Sequence, residues 1–180
     1  MLDAGAATGQ FAISWSLHHP TNTVHAFEPS LRQRIFLNRN ARLNGVAHQL
    51  RVHPLGLWNQ NTTLAFRTHG DISSVECAHQ LPPNLLFTER VQVVRLDDWA
   101  EQAALDRLDL IKMDIEGAEI EALHGAESAL KRFRPQLLIQ AYHLRDGKRT
   151  LEPCAEWLTT LGYRCHEWKN TGLLHATPLD

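Results

Sequence analysis

The chain has 180 residues, a formal net charge of −2 and 43% hydrophobic residues. This length and composition suit a single globular domain with an ordinary buried core, so we expect one domain over residues 1–180. Lys and Arg are scattered without a basic stripe and the apolar runs are too short to span a bilayer, which argues against nucleic acid as a partner and against membrane insertion.

The three cysteines, Cys77, Cys154 and Cys165, form no CxxC pair. An odd number of isolated cysteines is typical of reduced thiols rather than of a disulfide framework or a structural zinc site. The first residues also lack the charged and apolar regions of a signal peptide. We therefore expect a cytoplasmic protein.

The first motif is a strand end that runs into a glycine turn and a helix, Leu2-Asp3-Ala4-Gly5-Ala6-Ala7-Thr8-Gly9 followed by residues 10–17. Gly5 and Gly9 let the backbone turn tightly and approach a ligand, toward which the first helical amides point. The next apolar strand ends at Glu28, where α/β folds place a carboxylate that accepts both ribose hydroxyls of an adenosine. Together these motifs predict an adenosine site; a plain strand-to-helix turn with a solvated Glu28 is the simpler alternative.

The middle of the chain continues to alternate between strand and helix patterns. A helix begins after Pro29 at a capping-box spacing and ends at Asn44-Gly45. The sequence then predicts a third strand over 49–58, a β excursion over 62–67, a long loop over 68–89, a strand over 91–96 and a short helix from Asp97.

The last third follows the same alternation. It predicts a strand over 109–114, a helix with Ile120, Leu123 and Leu130 toward the core, and a strongly apolar strand over 136–143. A helix with Pro153 in its first turn and a terminal antiparallel hairpin, 163–168 with 172–177, complete the chain. Three aromatic residues at helical spacing, Trp15, Phe36 and Trp157, are expected in the core.

Repeated βα units predict a doubly wound, mostly parallel sheet with helices on both faces. In such folds the ligand lies beyond the carboxyl ends of the strands. Four polar residues, Asp3, Glu28, Asp114 and His143, each fall at a predicted strand end. Their coincidence at one edge of the sheet predicts a functional site there.

At this point the sequence resembles the FkbM family of S-adenosylmethionine-dependent O-methyltransferases. The matching segments are the first glycine turn, Ala26-Phe27-Glu28-Pro29, Val94-Arg95-Leu96-Asp97-Asp98, and Asp109-Leu110-Ile111-Lys112-Met113-Asp114-Ile115-Glu116-Gly117-Ala118-Glu119. The resemblance implies a class I methyltransferase (Rossmann-like) fold, with seven strands of which the last is antiparallel. Only Met1 and Leu2 precede Asp3, so we expect a shortened first strand.

The resemblance also implies the ligands and their sites. S-adenosylmethionine would be the cofactor, with Asp3, Gly5, Ala7 and Gly9 lining its methionine half, Glu28 holding the ribose and Leu57 beside the adenine. The acceptor would be a small molecule that carries a hydroxyl, such as a sugar, a glycolipid or a polyketide-like compound. A homodimer is an open alternative for the oligomeric state.

Methyl transfer requires alignment of the acceptor oxygen and help in removing its proton. We expect Asp114 and His143 to orient the hydroxyl, with His143 as the base because an unperturbed imidazole titrates near neutrality. A less favoured alternative has Asp114, with Glu116 and His143, holding a divalent metal that lowers the pKa of the acceptor. Lys112 is expected in a structural ion pair, and Glu116 and Glu119 as first-turn carboxylates that complement a helix dipole, Glu119 with a structural role.

Two other functions remain open from the sequence. A nicotinamide-dependent oxidoreductase shares the glycine turn and Glu28, but normally has the tighter GxGxxG pattern. A module that binds S-adenosylmethionine without catalysis would keep the cofactor motifs alone.

Overall fold

The computed structural model describes residues 1–69, 72–74, 87–145 and 147–179. The strands are β1 (Leu2–Ala4), β2 (Val24–Phe27), β3 (Leu50–His53), β4 (Gly56–Leu57), β5 (Thr62–His69), β6 (Ile72–Ser74), β7 (Phe87–Val94), β8 (Leu110–Met113), β9 (Gln136–Gln140), β10 (Leu144–Arg145), β11 (Lys148–Arg149), β12 (Tyr163–Glu167) and β13 (Leu173–Pro178). The helices are α1 (Gln10–His18), α2 (Leu31–Leu43), α3 (Leu96–Gln102), α4 (Glu119–His124), α5 (Glu127–Phe133) and α6 (Leu151–Thr160).

Seven strands form the main sheet in the order β12-β13-β9-β8-β1-β2-β3. The pairs β9–β8, β8–β1, β1–β2 and β2–β3 are parallel, whereas β13 runs antiparallel to both β9 and β12. This architecture confirms the predicted doubly wound sheet with an antiparallel last strand. The strand order reverses between β1 and β8, and ligands of such sheets bind at that switch point.

A second sheet departs from the simple alternation of strand and helix. Its order is β4-β7-β5-β6, with β5 antiparallel to β7 and β6. The third strand predicted over 49–58 ends at His53 because Pro54 has no N–H for the ladder, and the following residues join this second sheet as β4. Of the strand predicted over 91–96, residues 91–94 belong to β7 in the second sheet, whereas Arg95 caps α3 and Leu96 begins it. Of the loop predicted over 68–89, residues 70–71 and 75–86, with Cys77, lie outside the described residues.

Helices cover the main sheet on both faces. Leu37 and Ala41 of α2, with Ala12 and Ile13 of α1, pack on one face against Val24, Ala26 and Leu50. The helices α3 to α6 pack on the other face, against Leu2 and Ala4 of β1. Asp3 lies between these two residues in the strand, so its side chain points to the opposite face. The predicted single helix after Asp114 is divided into α4 and α5 at Gly125, and Leu123 and Leu130 are buried as expected.

Two of the three aromatic residues expected in the core lie against it. Trp15 and Trp157 pack against the two cores, but the prediction of a core position for Phe36 was wrong, since it is 40% exposed.

Cys154 and Cys165 are free thiols. In the described part of the chain, no helix combines the length and apolarity that a bilayer crossing requires.

Candidate active site

The glycine turn after β1 is shaped by close contact with the strand beside it. Gly5 has φ 73°, and a Cβ at this position would lie 1.9 Å from the backbone oxygen of Asp114. Ala7 and Gly9 also have positive φ, 46° and 92°. Only glycine fits at Gly5, so the motif places the backbone of the turn directly against the end of β8.

Glu28 fastens this turn to the end of β2. Its Oε2 accepts the Ala7 amide at 2.9 Å and its Oε1 accepts the Ser30 amide at 2.8 Å. Burial raises the pKa of the carboxyl, and the two amide donors oppose that change by stabilising the ionised form. Each carboxylate oxygen has a second lone pair, so Glu28 holds the turn and can still accept a ligand hydroxyl.

A pocket opens beside this turn, at the carboxyl ends of β1, β2 and β8. Its lining is Gly5, Ala7, Phe27, Glu28, Pro29, Gln33, Gly56, Leu57, Trp58, Leu64, Val93, Asp114, Ile115, Glu116 and Ala118. The structure thus brings together four residues predicted to bind the cofactor, namely Gly5, Ala7, Glu28 and Leu57, with Asp114. Leu64 and Val93 were missed because they belong to the second sheet, whose position the sequence did not reveal, and Trp58 was missed because it directly follows β4 of that sheet.

Two other predicted residues, Asp3 and Gly9, lie outside this lining. Asp3 is fully buried, and Lys112 Nζ lies 3.0 Å from its Oδ1 while donating a hydrogen bond to the Gly5 oxygen at 2.9 Å. This confirms the expected ion pair of Lys112 and places Asp3 behind the glycine turn. Gly9 is the N-cap of α1.

His143 stands among three carboxylates beside the pocket. Its Nδ1 lies 3.0 Å from Glu119 Oε1, and its Nε2 lies 3.3 Å from Glu116 Oε2 and 3.7 Å from Asp114 Oδ1. The imidazole is 10% exposed and Glu119 is fully buried, while about a third of the Asp114 and Glu116 side chains is exposed. The predicted pair Asp114 and His143 is therefore part of a larger cluster.

The cluster changes the protonation of its members. Burial lowers the pKa of His143, but Glu116 and Glu119 outweigh it and raise this pKa to about 10. Burial likewise opposes ionisation of Glu119, yet the contact with His143 and the Gly117 amide bring its pKa below the ordinary value. Burial raises the pKa of Asp114, against the opposing charges of Lys112 and His143.

The contact of Glu119 with His143 was not predicted from the sequence. It was expected to serve as a first-turn helix carboxylate, and it does begin α4. However, its Oε1 accepts the amides of Gly117 at 3.1 Å and Ile115 at 3.3 Å and faces His143. The Gly117 that follows Asp114 and Glu116 was the available signal, because with Glu116 it forms a turn of positive φ that bends the chain back toward this carboxylate.

The same cluster contains a set of groups that could hold a metal ion. One ligand atom each from Asp114, Glu116 and His143 lies within 4.8 Å of the others. Two carboxylates and one imidazole suit a hard divalent cation, so the donor set fits the metal alternative.

Comparison with known proteins places this geometry in context. Residues 3–165 match the family model described as the methyltransferase FkbM domain. Methyltransferase 1 of Beauveria bassiana is 29% identical over 145 residues, which cover 71% of this chain and 58% of that protein. The 2-O-methyltransferase NoeI of Sinorhizobium fredii is 27% identical over 148 residues, covering 74% and 60%. The chain therefore spans about three fifths of the length of these two relatives.

A solved structure has the same fold. The crystal structure of a methyltransferase FkbM from Methylobacillus flagellatus KT superposes with a TM-score of 0.67 at 22% identity, over 98% of this chain and 42% of that one. At this identity the likeness concerns the fold alone.

Proposed function

The chain belongs to the FkbM methyltransferase family, and from that premise we propose that it transfers a methyl group from S-adenosylmethionine to a hydroxyl of a small molecule. The observation that carries the proposal is the pocket in which Glu28 and the Gly5 turn adjoin the cluster of His143. A pocket whose lining suits a nucleoside cofactor thus adjoins a group able to accept a proton, as transfer to a hydroxyl requires.

The lining of the pocket fits the cofactor in its chemistry. Leu57 and Trp58 provide an apolar wall for an adenine, and Glu28 provides acceptors for ribose hydroxyls. Asp114 and Glu116 supply negative charge at the other side of the pocket. When bound, the cofactor supplies a positively charged sulfonium that carries the reactive methyl group, and carboxylates favour such a cation.

His143 is the base in this proposal. Glu119 faces Nδ1, so the neutral ring carries its proton there and leaves Nε2 to receive the hydroxyl proton. Asp114, whose carboxyl lies beside Nε2, orients the acceptor hydroxyl. Because the pKa of His143 is about 10, the ring is neutral in only a small fraction of molecules at pH 7, and the transfer rate should rise with pH toward that value.

A divalent cation bound by Asp114, Glu116 and His143 is the second version of the chemistry. The convergence of three ligand atoms supports it. Such an ion would lower the pKa of the acceptor hydroxyl directly, and His143 would then be a ligand rather than a base. Loss of activity on EDTA treatment, restored by Mg²⁺, would favour this version over the base.

The acceptor is proposed to be a sugar, a glycolipid or a polyketide-like molecule, with transfer to oxygen. The name of the relative NoeI, a 2-O-methyltransferase, supports oxygen as the target. The β10–β11 hairpin directly follows His143 and is a candidate for acceptor selection, because loops around the rim of this fold determine specificity.

Calorimetric titration with S-adenosylmethionine, S-adenosylhomocysteine and NAD tests the cofactor. Binding of the first two and not of NAD is the expected result, whereas binding of NAD alone would replace the proposal with an oxidoreductase. Catalysis needs a separate test. His143→Ala should retain cofactor binding and slow transfer, and a wild-type protein that binds the cofactor but methylates none of the hydroxyl acceptors would point to the non-catalytic module.

A further inference from the structure

The outward side of α2 has an unusual composition. Four large apolar residues are exposed there: Leu31 by 57%, Ile35 by 59%, Phe36 by 40% and Leu43 by 74%. Three exposed arginines lie between them, namely Arg32, Arg39 and Arg42. We call these seven residues the α2 outer face. Several large exposed apolar side chains on one helix face commonly mark an interaction surface.

Helix geometry places all seven residues on one side. The buried side chains of α2 are Gln33, Leu37 and Ala41, which face the sheet. At about 100° per residue, the seven outer residues fall within an arc of roughly 140° centred opposite those three. The arc runs along a helix of 13 residues, or about 20 Å. The face is therefore a long convex strip.

The three arginines of this strip carry uncompensated charge. None of their guanidinium groups forms an ion pair or hydrogen bond with a residue that the structure describes, and α2 contains no Asp or Glu. Arg34 is different, because it turns inward and donates to the backbone oxygens of Glu28 and Pro29. The strip is thus cationic on a chain whose net charge is −2.

A neighbouring helix also exposes an apolar side chain near α2. Leu17 of α1 is 54% exposed and lies with Asn40 and Asn44 along a shallow cleft between α1 and α2. Leu17 therefore lies beside a polar edge of α2 and adds one exposed apolar side chain on a second helix. A broad surface of two helices can rest on an extended plane.

We propose that the α2 outer face docks onto an anionic phospholipid surface. Guanidinium groups bind phosphates through paired hydrogen bonds, while interleaved Leu, Ile and Phe side chains enter the boundary between headgroups and acyl chains. A convex strip suits a deformable lipid surface, which needs no matching concavity. A symmetric contact with a second copy through this face would bring arginines against arginines.

The experiment is flotation of the full chain with vesicles. We expect binding to phosphatidylcholine vesicles that contain about 30 mol % phosphatidylglycerol and none to pure phosphatidylcholine. Raising NaCl from about 0.1 M to about 0.5 M should release the protein, because salt screens the attraction. Binding that is equal on neutral vesicles, or absent on both, would overturn the proposal; absence on both would leave an acidic protein partner as the occupant.

A matched pair of variants separates this face from net charge. Arg32→Glu/Arg39→Glu/Arg42→Glu should lower the partition coefficient at least about 100-fold, since each surface arginine contributes roughly fivefold. Arg90→Glu/Arg132→Glu/Arg164→Glu makes the same change of charge at other exposed positions and should retain most of the binding. Equal losses in the two variants would overturn the assignment to α2.

The apolar contribution has its own variant. Leu31→Ser/Ile35→Ser/Phe36→Ser keeps every arginine and should weaken binding by at least about tenfold, whereas unchanged binding would contradict insertion of these side chains. Circular dichroism checks that each variant is folded. The assay uses neither cofactor nor acceptor, so its failure would leave the proposed methyl transfer intact.

Discussion

The Nδ1 atom of His143 lies 3.0 Å from the Oε1 atom of Glu119, although the two residues belong to different elements, the segment after β9 and the first turn of α4. Glu119 is fully buried and is held by the amides of Gly117 and Ile115. Backbone amides therefore hold the carboxylate in place independently of its contact with the imidazole. We infer that Glu119 is a positioning residue that sets both the tautomer and the proton affinity of His143.

Glu119→Gln should lower the pKa of His143 from about 10 toward its ordinary value, because the amide removes a negative charge and keeps an oxygen for the two backbone donors. NMR titration of the histidine ring protons measures the change, with His143→Asn identifying the resonance. Glu127→Gln, an exposed carboxylate of α5, is the control and should have no effect. An unchanged titration in Glu119→Gln would remove Glu119 from this role.

The raised pKa of His143 also affects stability. A group whose pKa is higher in the folded protein contributes stability fully below its unfolded value of 6.5 and loses that contribution as the pH rises through the folded value of about 10. The difference in free energy of unfolding between wild type and His143→Gln should therefore shrink between pH 6.5 and pH 10. Urea unfolding at several pH values measures it, and a difference that grows with pH would contradict the arrangement.

His25 and His53 should have the opposite effect. Their rings lie together, with His25 Nδ1 3.2 Å from His53 Nε2, and Trp99 packs edge-on against both. Burial, reinforced by the charge of His53, lowers the pKa of His25 to about 4, and burial also lowers that of His53. Their neutral forms contribute stability above pH 6.5 that is lost as the pH falls toward 4.

The test compares His25→Gln with His48→Gln, an exposed position. Between pH 7 and pH 4.5 the wild type should lose more unfolding free energy than His25→Gln, because the variant lacks one of the titrating groups. His48→Gln should behave as wild type does. If His25→Gln lost as much stability as the wild type, the acid sensitivity would have to come from elsewhere.

Local motifs were sufficient to locate one half of the site. Gly5 and Glu28 are recognisable because a tight turn needs glycine and because the end of β2 is a fixed position relative to it. The contact between His143 and Glu119 has no such local signal, since a first-turn glutamate has the same pattern whether it complements a dipole or faces another strand. The fold was likewise only partly predictable around Pro54. A proline indicates that β3 ends there, but the sequence does not show that the next strand joins another sheet. Phe36 was expected in the core because it lies at helical spacing among other apolar residues. That spacing predicts a helix, but it does not show which of the apolar positions remain exposed.

Glu28→Ala should abolish binding of S-adenosylmethionine, since the substitution removes the ribose acceptor and releases the Ala7 and Ser30 amides. Loss of those two hydrogen bonds should also cost about 2 kcal/mol or more of stability. Calorimetry at a temperature where circular dichroism shows the variant folded separates the two effects. Glu152→Ala, an exposed carboxylate on α6, is the control, and retained affinity in Glu28→Ala would refute the assignment to the ribose.

Gly125→Ala should weaken cofactor binding from outside the pocket. Gly125 has an ordinary helical conformation, φ −77°, so alanine is conformationally acceptable there. Its Cβ, however, would lie 2.0 Å from the backbone oxygen of Trp58, and Trp58 lines the pocket beside Leu57. The pocket wall at Trp58 must therefore shift, at a cost of about 1–3 kcal/mol in stability.

Gly45→Ala is the matched control, because its φ of 72° makes alanine strained while its Cβ would meet open space. Both variants should melt at lower temperature, but only Gly125→Ala should raise the dissociation constant of S-adenosylmethionine in calorimetry. Equal affinities in the two variants would mean that the second sheet tolerates the shift without moving the wall that faces the cofactor.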